Sequence, residues 1–308
     1  MNPNNSSARL LVTGATGFVG RHVAGAIKAG VFGEFGFVGA PANLDIRDED
    51  GVATMIADLR PDAVLHLAAQ SFVPRSFEDP RETFDVNLIG TLNIVRGLSR
   101  SGFKGRMIYV SSGDVYGQVP ESALPVSETL LPKPRSPYAV SKIAAEQLCL
   151  QWQRTEGLDV MIARPFNHVG PGQDARFVLP GLAAQVVSIA DGNSAAVIEA
   201  GDIDTSRDFT DVRDIVAAYA AMLRHGASGS IYLVGSGTER RVRDLLMSMC
   251  AIEGIDPEIR QNPERLRPSE QRRMAADSTL LRVDTGWAPR IEFEVTLQDI
   301  IKHARESR

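Results

Sequence analysis

The chain has 308 residues, 44% of them hydrophobic, with a formal net charge of −5. That size and apolar content suit one large domain or two intimate ones around a sizeable core. The acidic balance argues against a nucleic-acid binder, and no run approaches the roughly 18 apolar residues that span a bilayer.

Residues 1–8 are polar and lack the apolar core of a signal peptide, so a cytoplasmic protein is expected. Residues 9–12 read as a strand, 19–29 as a helix and 35–38 as a second strand. A helix at 52–59, a strand at 63–67, a long helix at 84–101 and a strand at 106–110 follow. A helix at 138–155 and a strand at 160–164 complete the first half. This alternation implies an α/β fold, a doubly wound parallel sheet with helices on both faces. After Pro165 the pattern loosens, with Gly- and Asp-rich stretches at 170–174 and 200–207. A helix at 212–223 and a strand at 230–234 can rejoin the sheet. Residues 1–166 and 208–238 are thus expected to form a dinucleotide-binding Rossmann domain, and 167–207 and 239–308 a smaller substrate-binding domain. Cys149 and Cys250 lie in apolar, helical-looking stretches and read as buried free thiols, which fits a reducing compartment.

The sequence TGATGFVG at 13–20 lies directly between the first strand and the first helix. A sharp turn, a bare backbone for a pyrophosphate and a close helix–strand contact each require a glycine, and Gly14, Gly17 and Gly20 meet these demands. The end of the second strand lacks the carboxylate that would hold a ribose 2′-hydroxyl, whereas Arg21 follows the glycines and can meet a 2′-phosphate. An ordinary surface arginine is the alternative for Arg21. NADP(H) is therefore favoured over NAD(H). Asp45 and Ile46 are expected near the adenine, and Leu67, Ala68 and Ala69 along the cofactor.

YAVSK at 138–142 places Tyr138 and Lys142 one helical turn apart on the same face. SSGDVYG at 111–117 follows an apolar strand, at the sheet edge where open α/β folds bind ligands. Delivery of a hydride to a carbonyl needs a proton donor at its oxygen. Tyrosine, with a free pKa of about 10, keeps its proton at neutral pH. A nearby Lys142 ammonium would stabilise the phenolate and lower that pKa, while Ser112 can orient the carbonyl. No metal-ligand cluster accompanies them.

Together these motifs resemble the extended short-chain dehydrogenase/reductase family of sugar-nucleotide epimerases, dehydratases and reductases, over nearly the whole chain. The resemblance implies a catalytic role for Ser112, Tyr138 and Lys142. It implies cofactor contacts from Gly14, Thr16, Gly17, Phe18, Val19, Asn87, Ser111 and Pro165, beside Tyr138 and Lys142 themselves. RPFNH at 164–168 resembles the family loop between the nicotinamide pocket and the substrate diphosphate, which points to Asn167. Segments 69–73 and 76–80 resemble those facing the hexose in GDP-mannose 4,6-dehydratases, so Gln70, Ser71 and Ser76 are expected substrate contacts, with Asp114 and Arg176. GDIDTSRD at 201–208 and RPSE at 267–270 resemble that branch's GDP site and point to Gly201, Asp202, Arg207, Arg267 and Glu270. An ion pair with Asp208 or Asp211 is the alternative for Arg207. Dehydratases typically carry Asp-Glu or Ser-Glu beside the catalytic Ser or Thr, and this chain has Gly113-Asp114. The resemblance therefore implies reduction of a GDP-linked 4-keto-6-deoxyhexose by a homodimer paired through a four-helix interface. The alternatives are a GDP-mannose 4,6-dehydratase or another nucleotide-sugar epimerase or reductase, and a non-catalytic NADP-binding sensor of the same fold.

Overall fold

Runs of branched and aromatic residues build the main sheet of the computed structural model, which describes residues 7–262 and 271–307. In chain order its strands are β1 (Ala8–Thr13), β2 (Phe35–Gly39), β3 (Ala63–His66), β4 (Arg106–Val110), β5 (Asp159–Pro165) and, much later, β9 (Ile231–Val234). They lie in the order β2-β1-β3-β4-β5-β9, and every pairing is parallel. Successive side chains of a strand point to opposite faces. Leu10 and Val12 accordingly enter one core with Leu65, Ile108 and Met161. Leu11 enters the other with Val64, Met107 and Val160. Burial on both faces is what a purely parallel sheet requires.

Helices α1 (Phe18–Lys28) and α8 (Val212–His225) close the first face, and α2 (Glu49–Leu59), α5 (Gly90–Arg100) and α6 (Pro137–Glu156) the second. The strand order reverses at β1, whose neighbours β2 and β3 leave in opposite directions. The crevice beyond its C-terminal end is where such sheets bind ligands.

The single helix expected over 84–101 is divided. A short α3 (Val73–Glu78) and α4 (Pro80–Phe84) precede a π-helical turn at Asp85–Ile89, and α5 begins after it. The turn carries Asn87, whose side chain is wholly buried and bonded to two other segments. A π turn inserts one residue into the helical ladder and re-aims what it carries.

A second apolar cluster lies apart from the sheet. Helices α7 (Val178–Ala190), α9 (Val242–Glu253) and α11 (Phe293–Glu306) enclose it with Leu182, Val186, Leu246, Met249 and Ile300. Strands β7 (Val197–Ala200) and β11 (Glu258–Gln261) pair beside it. Between the two cores runs a small sheet of β10 (Glu239–Arg241), β8 (Ser206–Asp211) and β6 (Asn167–Val169). Not all of 239–308 packs on this cluster. Helix α10 (Thr279–Thr285) and the residues after it send Leu281 and Trp287 into the main-sheet core.

Candidate active site

The loop after β1 is almost bare backbone. Gly14 sits at φ +66, and a Cβ there would lie 2.9 Å from the Ala68 nitrogen. At Gly20 a Cβ would come within 2.4 Å of the Gly14 carbonyl, so α1 can meet the loop this closely only through glycine. Gly17 is the N-cap of α1; no side chain caps the helix and no acid occupies its first turn. Its leading N–H groups are thus left for an external anion, and a dinucleotide diphosphate fits that requirement. Farther along the same sheet edge, the Ser111 hydroxyl is buried without a hydrogen-bond partner. It is a polar atom in want of a ligand group.

Below this loop a polar chain crosses from β1 to α6. The Thr13 hydroxyl accepts from the Leu67 and Ala68 N–H groups, each at 3.1 Å, and meets His66 Nδ1 at 2.6 Å. His66 Nε2 meets the Thr91 hydroxyl at 3.0 Å, and Thr91 donates to the Asn87 carbonyl at 2.6 Å. The Thr13 oxygen already accepts twice, so its own proton goes to Nδ1. Nε2 therefore carries the ring hydrogen and donates to Thr91. Burial, with Lys142 adding to it, lowers the His66 pKa to about 3, so the ring is neutral. The Asn87 amide donates to the Ser141 hydroxyl at 2.9 Å and to the Gln70 carbonyl, and accepts from the Gln70 N–H. Ser141 in turn donates to the Tyr138 carbonyl at 2.7 Å. Asn87, expected against the cofactor, braces the helix that carries Tyr138.

Ser136 caps α6 by accepting from the Ala139 N–H at 3.1 Å, and Pro137 suits the first helical position. Tyr138 and Lys142 therefore lie in the first two turns, 8% and 4% exposed. Burial raises the Tyr138 pKa, Asp114 adds to the rise, and the Ser112 hydroxyl opposes it. Burial lowers Lys142 to about 8 against the pull of Glu146. The expected lowering of the tyrosine by the lysine is not seen. The Lys142 ammonium lies over the Tyr109 ring, 4.7 Å from its centroid, and both groups are desolvated. Ser112 caps a 3-10 turn at Gly113–Tyr116 by accepting from the Asp114 N–H.

One turn beyond Lys142, Glu146 binds Arg164 of β5 through two hydrogen bonds of 2.9 and 2.6 Å. Arg164 also donates to the Tyr116 hydroxyl at 2.8 Å. This buried group ties α6, the turn after Ser112 and β5 together. Arg164 is thus a strut, while Pro165 is buried beside it and Asn167 is exposed.

A cleft of about 450 Å³ opens next to the site, lined by Ala69, Gln70, Ser71, Phe72, Arg75, Glu78, Glu82 and Arg176. Arg176 lies over the Phe72 ring at 5.0 Å and is held by Asp174. Gln70 keeps its amide for the Phe72 N–H and the Thr83 hydroxyl. Ser76, expected to face substrate, is fully buried and donates to the Val73 carbonyl, because α3 turns it inward. Asp45 is exposed and engaged by Arg47, and Ile46 is buried under α5 against Asn93 and Gly90. Thr16 is exposed at the loop with Phe18 and Val19 half-buried behind it, and Leu67, Ala68 and Ala69 are half-buried along the crevice. Gly201 is half-buried, and Asp202 accepts from the Asp204 N–H. Arg207 donates to the Ser206 carbonyl at 2.9 Å. The two acids considered for it have other duties. Asp208 holds the Ser236, Gly237 and Ala276 N–H groups. Asp211 pairs with Arg213 and Thr296. Arg267 and Glu270 lie outside the described residues. Arg21 spends its guanidinium on the Thr16 and Gly172 carbonyls.

Sequence reasoning missed the His66 chain and the Glu146–Arg164–Tyr116 strut. The four-residue spacing from Lys142 to Glu146 was the one available signal for either. Among the described residues no group of three or more His, Cys, Asp or Glu is placed to hold a metal.

A glycine loop at a topological switch point, facing a Ser, Tyr and Lys on the next strands and helix, defines a dinucleotide-dependent oxidoreductase of the extended short-chain type. Residues 41–300 match the family described as GDP-mannose 4,6 dehydratase, and the chain belongs to that family. It is 47% identical to GDP-6-deoxy-D-mannose reductase of Pseudomonas aeruginosa, over 95% of this chain and 96% of that protein. The structure of RMD from Pseudomonas aeruginosa complexed with NADPH superposes with a TM-score of 0.92 at 45% identity, covering 98% of this chain and all of that one. UDP-glucose 4-epimerase of Thermus thermophilus in complex with NAD reaches 0.85 at 31% identity, over 97% of this chain and 100% of the other.

Proposed function

We propose that the protein reduces the C4 ketone of GDP-4-keto-6-deoxy-D-mannose with NADPH, giving GDP-D-rhamnose. Held on the Gly14–Gly20 loop and the N-terminus of α1, NADPH would supply the hydride. Tyr138 gives its proton to the C4 oxygen, Ser112 orients that oxygen by hydrogen bonding, and the Lys142 ammonium compensates the negative charge left nearby. The raised tyrosine pKa keeps the donor protonated throughout the neutral range. Residues 1–166 and 208–238 hold the dinucleotide, and 167–207 with 239–308 hold the nucleotide-sugar, apart from the Leu281–Trp287 contact with the first unit. Arg207 is the diphosphate ligand of this reading, and Arg176 contacts the sugar side of the cleft. The likeness to the Pseudomonas aeruginosa reductase and its NADPH complex supports both substrate and cofactor.

The observation that carries reduction over elimination is the packing at Gly113. Position 113 has no side chain to serve as acid or base, and a Cβ there would lie 3.1 Å from the Phe166 ring, so a larger residue would have to press that ring aside. Elimination of water across C5 and C6 needs such a group within about 2.6–3.2 Å of its proton. Asp114 keeps the dehydratase reading alive, being an exposed carboxylate close enough to raise the Tyr138 pKa. The purified protein is given the keto-sugar with NADPH, and separately GDP-mannose with NADP⁺. NMR of a 4-hydroxy product with stoichiometric NADPH loss supports the reductase. Efficient loss of water from GDP-mannose overturns it.

A homodimer through α5 and α6 belongs to the same proposal. Ile89, at the end of the π turn that leads into α5, and Val140 of α6 are 41% and 38% exposed. A helix lying on a sheet needs only one apolar face, so the surplus suits a twofold four-helix contact. Sedimentation showing only monomer at micromolar concentration would refute it.

A further inference from the structure

One face of α1 grips a distant segment. Phe18, Arg21 and His22 stand three and four residues apart, hence on one side of the helix. The Phe18 ring lies parallel to His168 at 6.1 Å. His22 Nε2 meets the Pro171 carbonyl at 2.9 Å. Arg21 makes the decisive contact. Its Nη1 donates to the Thr16 carbonyl at 2.7 Å, inside the glycine loop, and its Nη2 to the Gly172 carbonyl at 2.9 Å. Gly172 is at φ +87, which an L side chain would rarely accept, so the clasped carbonyl fixes one backbone course there.

That course runs straight into the cleft. Four residues on, Arg176 lies over Phe72, and Phe177 meets the same ring edge-on at 6.0 Å. Phe72 and Arg176 both line the cleft. A single guanidinium thus links the turn that receives the dinucleotide to the wall that receives the sugar nucleotide.

We propose that Arg21 is a positioning residue that couples dinucleotide occupancy of the glycine loop to the affinity of the cleft for its GDP-linked substrate, and that it does not read a 2′-phosphate. This rests on the function proposed above. An anion seated on the N–H groups of α1 fixes the 14–17 turn and with it the Thr16 carbonyl. Arg21 passes that constraint to Gly172 and so to Arg176 and Phe177. Coupling of this kind is reciprocal: GDP must tighten NADPH binding by the factor by which NADPH tightens GDP binding.

Calorimetric titration of the intact protein with GDP, with and without saturating NADPH, tests it. In the wild type NADPH should tighten GDP about fivefold or more. In Arg21→Ala the enhancement should fall to about twofold or less, with NADPH affinity measured without GDP little changed. Arg21→Lys keeps the charge but cannot span both carbonyls, so it should lose most of the enhancement as well. Full enhancement in either variant, or its absence in the wild type, overturns the proposal and leaves the reductase reading intact. A loss of NADPH affinity in Arg21→Ala with NADH affinity unchanged also overturns it and makes Arg21 a phosphate reader. Failure of the wild type to bind GDP at all would sink the GDP-sugar reading and this inference with it.

Discussion

Arg164 and Glu146 form a two-pronged ion pair in which the arginine side chain is 2% exposed and the glutamate 0%. Neither charge has access to water, so each depends on the other. Removing one partner of such a pair costs roughly 3–5 kcal/mol, whereas exchanging both for apolar residues can be neutral. Arg164→Met should therefore lower stability by about that amount in a urea titration. The double variant Arg164→Met with Glu146→Leu should recover much of the loss, Tyr116 alone being left to find a new partner. An Arg164→Met protein as stable as the wild type would mean that the pair is not formed.

Tyr138→Phe removes only a hydroxyl. Binding of NADPH and GDP should persist, and turnover of the keto-sugar should fall on the order of 100- to 10,000-fold, the usual contribution of a general acid. Near-normal turnover would take Tyr138 out of the chemistry.

Arg207→Ala should act on binding. Loss of one charge-assisted hydrogen bond to a diphosphate is worth about 1.5–3 kcal/mol, hence a ten- to hundredfold rise in KM for the GDP-sugar. The Kd for NADPH should stay put. An unchanged KM would make the arginine purely structural.

The lowered pKa of Lys142 gives two opposite pH effects. Its ammonium is lost as pH rises through about 8, so kcat should decline above that point. Stability moves the other way. Between about 8 and the ordinary lysine value of 10.5 the unfolded chain holds a proton that the folded chain has released, so stability contributed by this group rises with pH across that window. Lys142→Met should flatten both profiles. A kcat constant to pH 10 in the wild type would show that the lysine charge plays no part in turnover.

What the sequence made legible is what depends on neighbours along the chain. The TGATGFVG loop and the Tyr138–Lys142 spacing are local, and their physical demands, a bare turn and one helical step, are written in adjacent positions. The first five strands and the longer helices α1, α2, α5 and α6 follow from apolar periodicity for the same reason. Partners far apart in the chain leave no such mark. Thr13 and His66 are 53 residues apart, Glu146 and Arg164 are 18 apart, and Arg21 finds Gly172 across 151 residues. A surface arginine and a phosphate reader look alike until the carbonyls around the guanidinium are seen. The π turn was hidden too, because one inserted residue hardly disturbs a helical pattern. Ser76 was misread for a related cause: α3 is too short for periodicity to tell its inner face from its outer one.

The polar chain through Thr13, His66, Thr91 and Asn87 has a consequence for how such a protein can diverge. Every hydrogen in it has one assigned direction, from the threonine at the end of β1 to the carbonyl at the π turn. Loss of the polar group at Thr13, His66 or Thr91 leaves a donor or acceptor stranded in a place water does not reach, whereas Asn87 takes part through its main-chain carbonyl. Drift at these positions is therefore confined to coordinated exchanges. A valine at 13 is tolerable only if position 66 changes with it and the Leu67 and Ala68 amides find a new acceptor. Combinatorial libraries over positions 13, 66 and 91 should yield functional sequences in linked sets, with single-step intermediates missing.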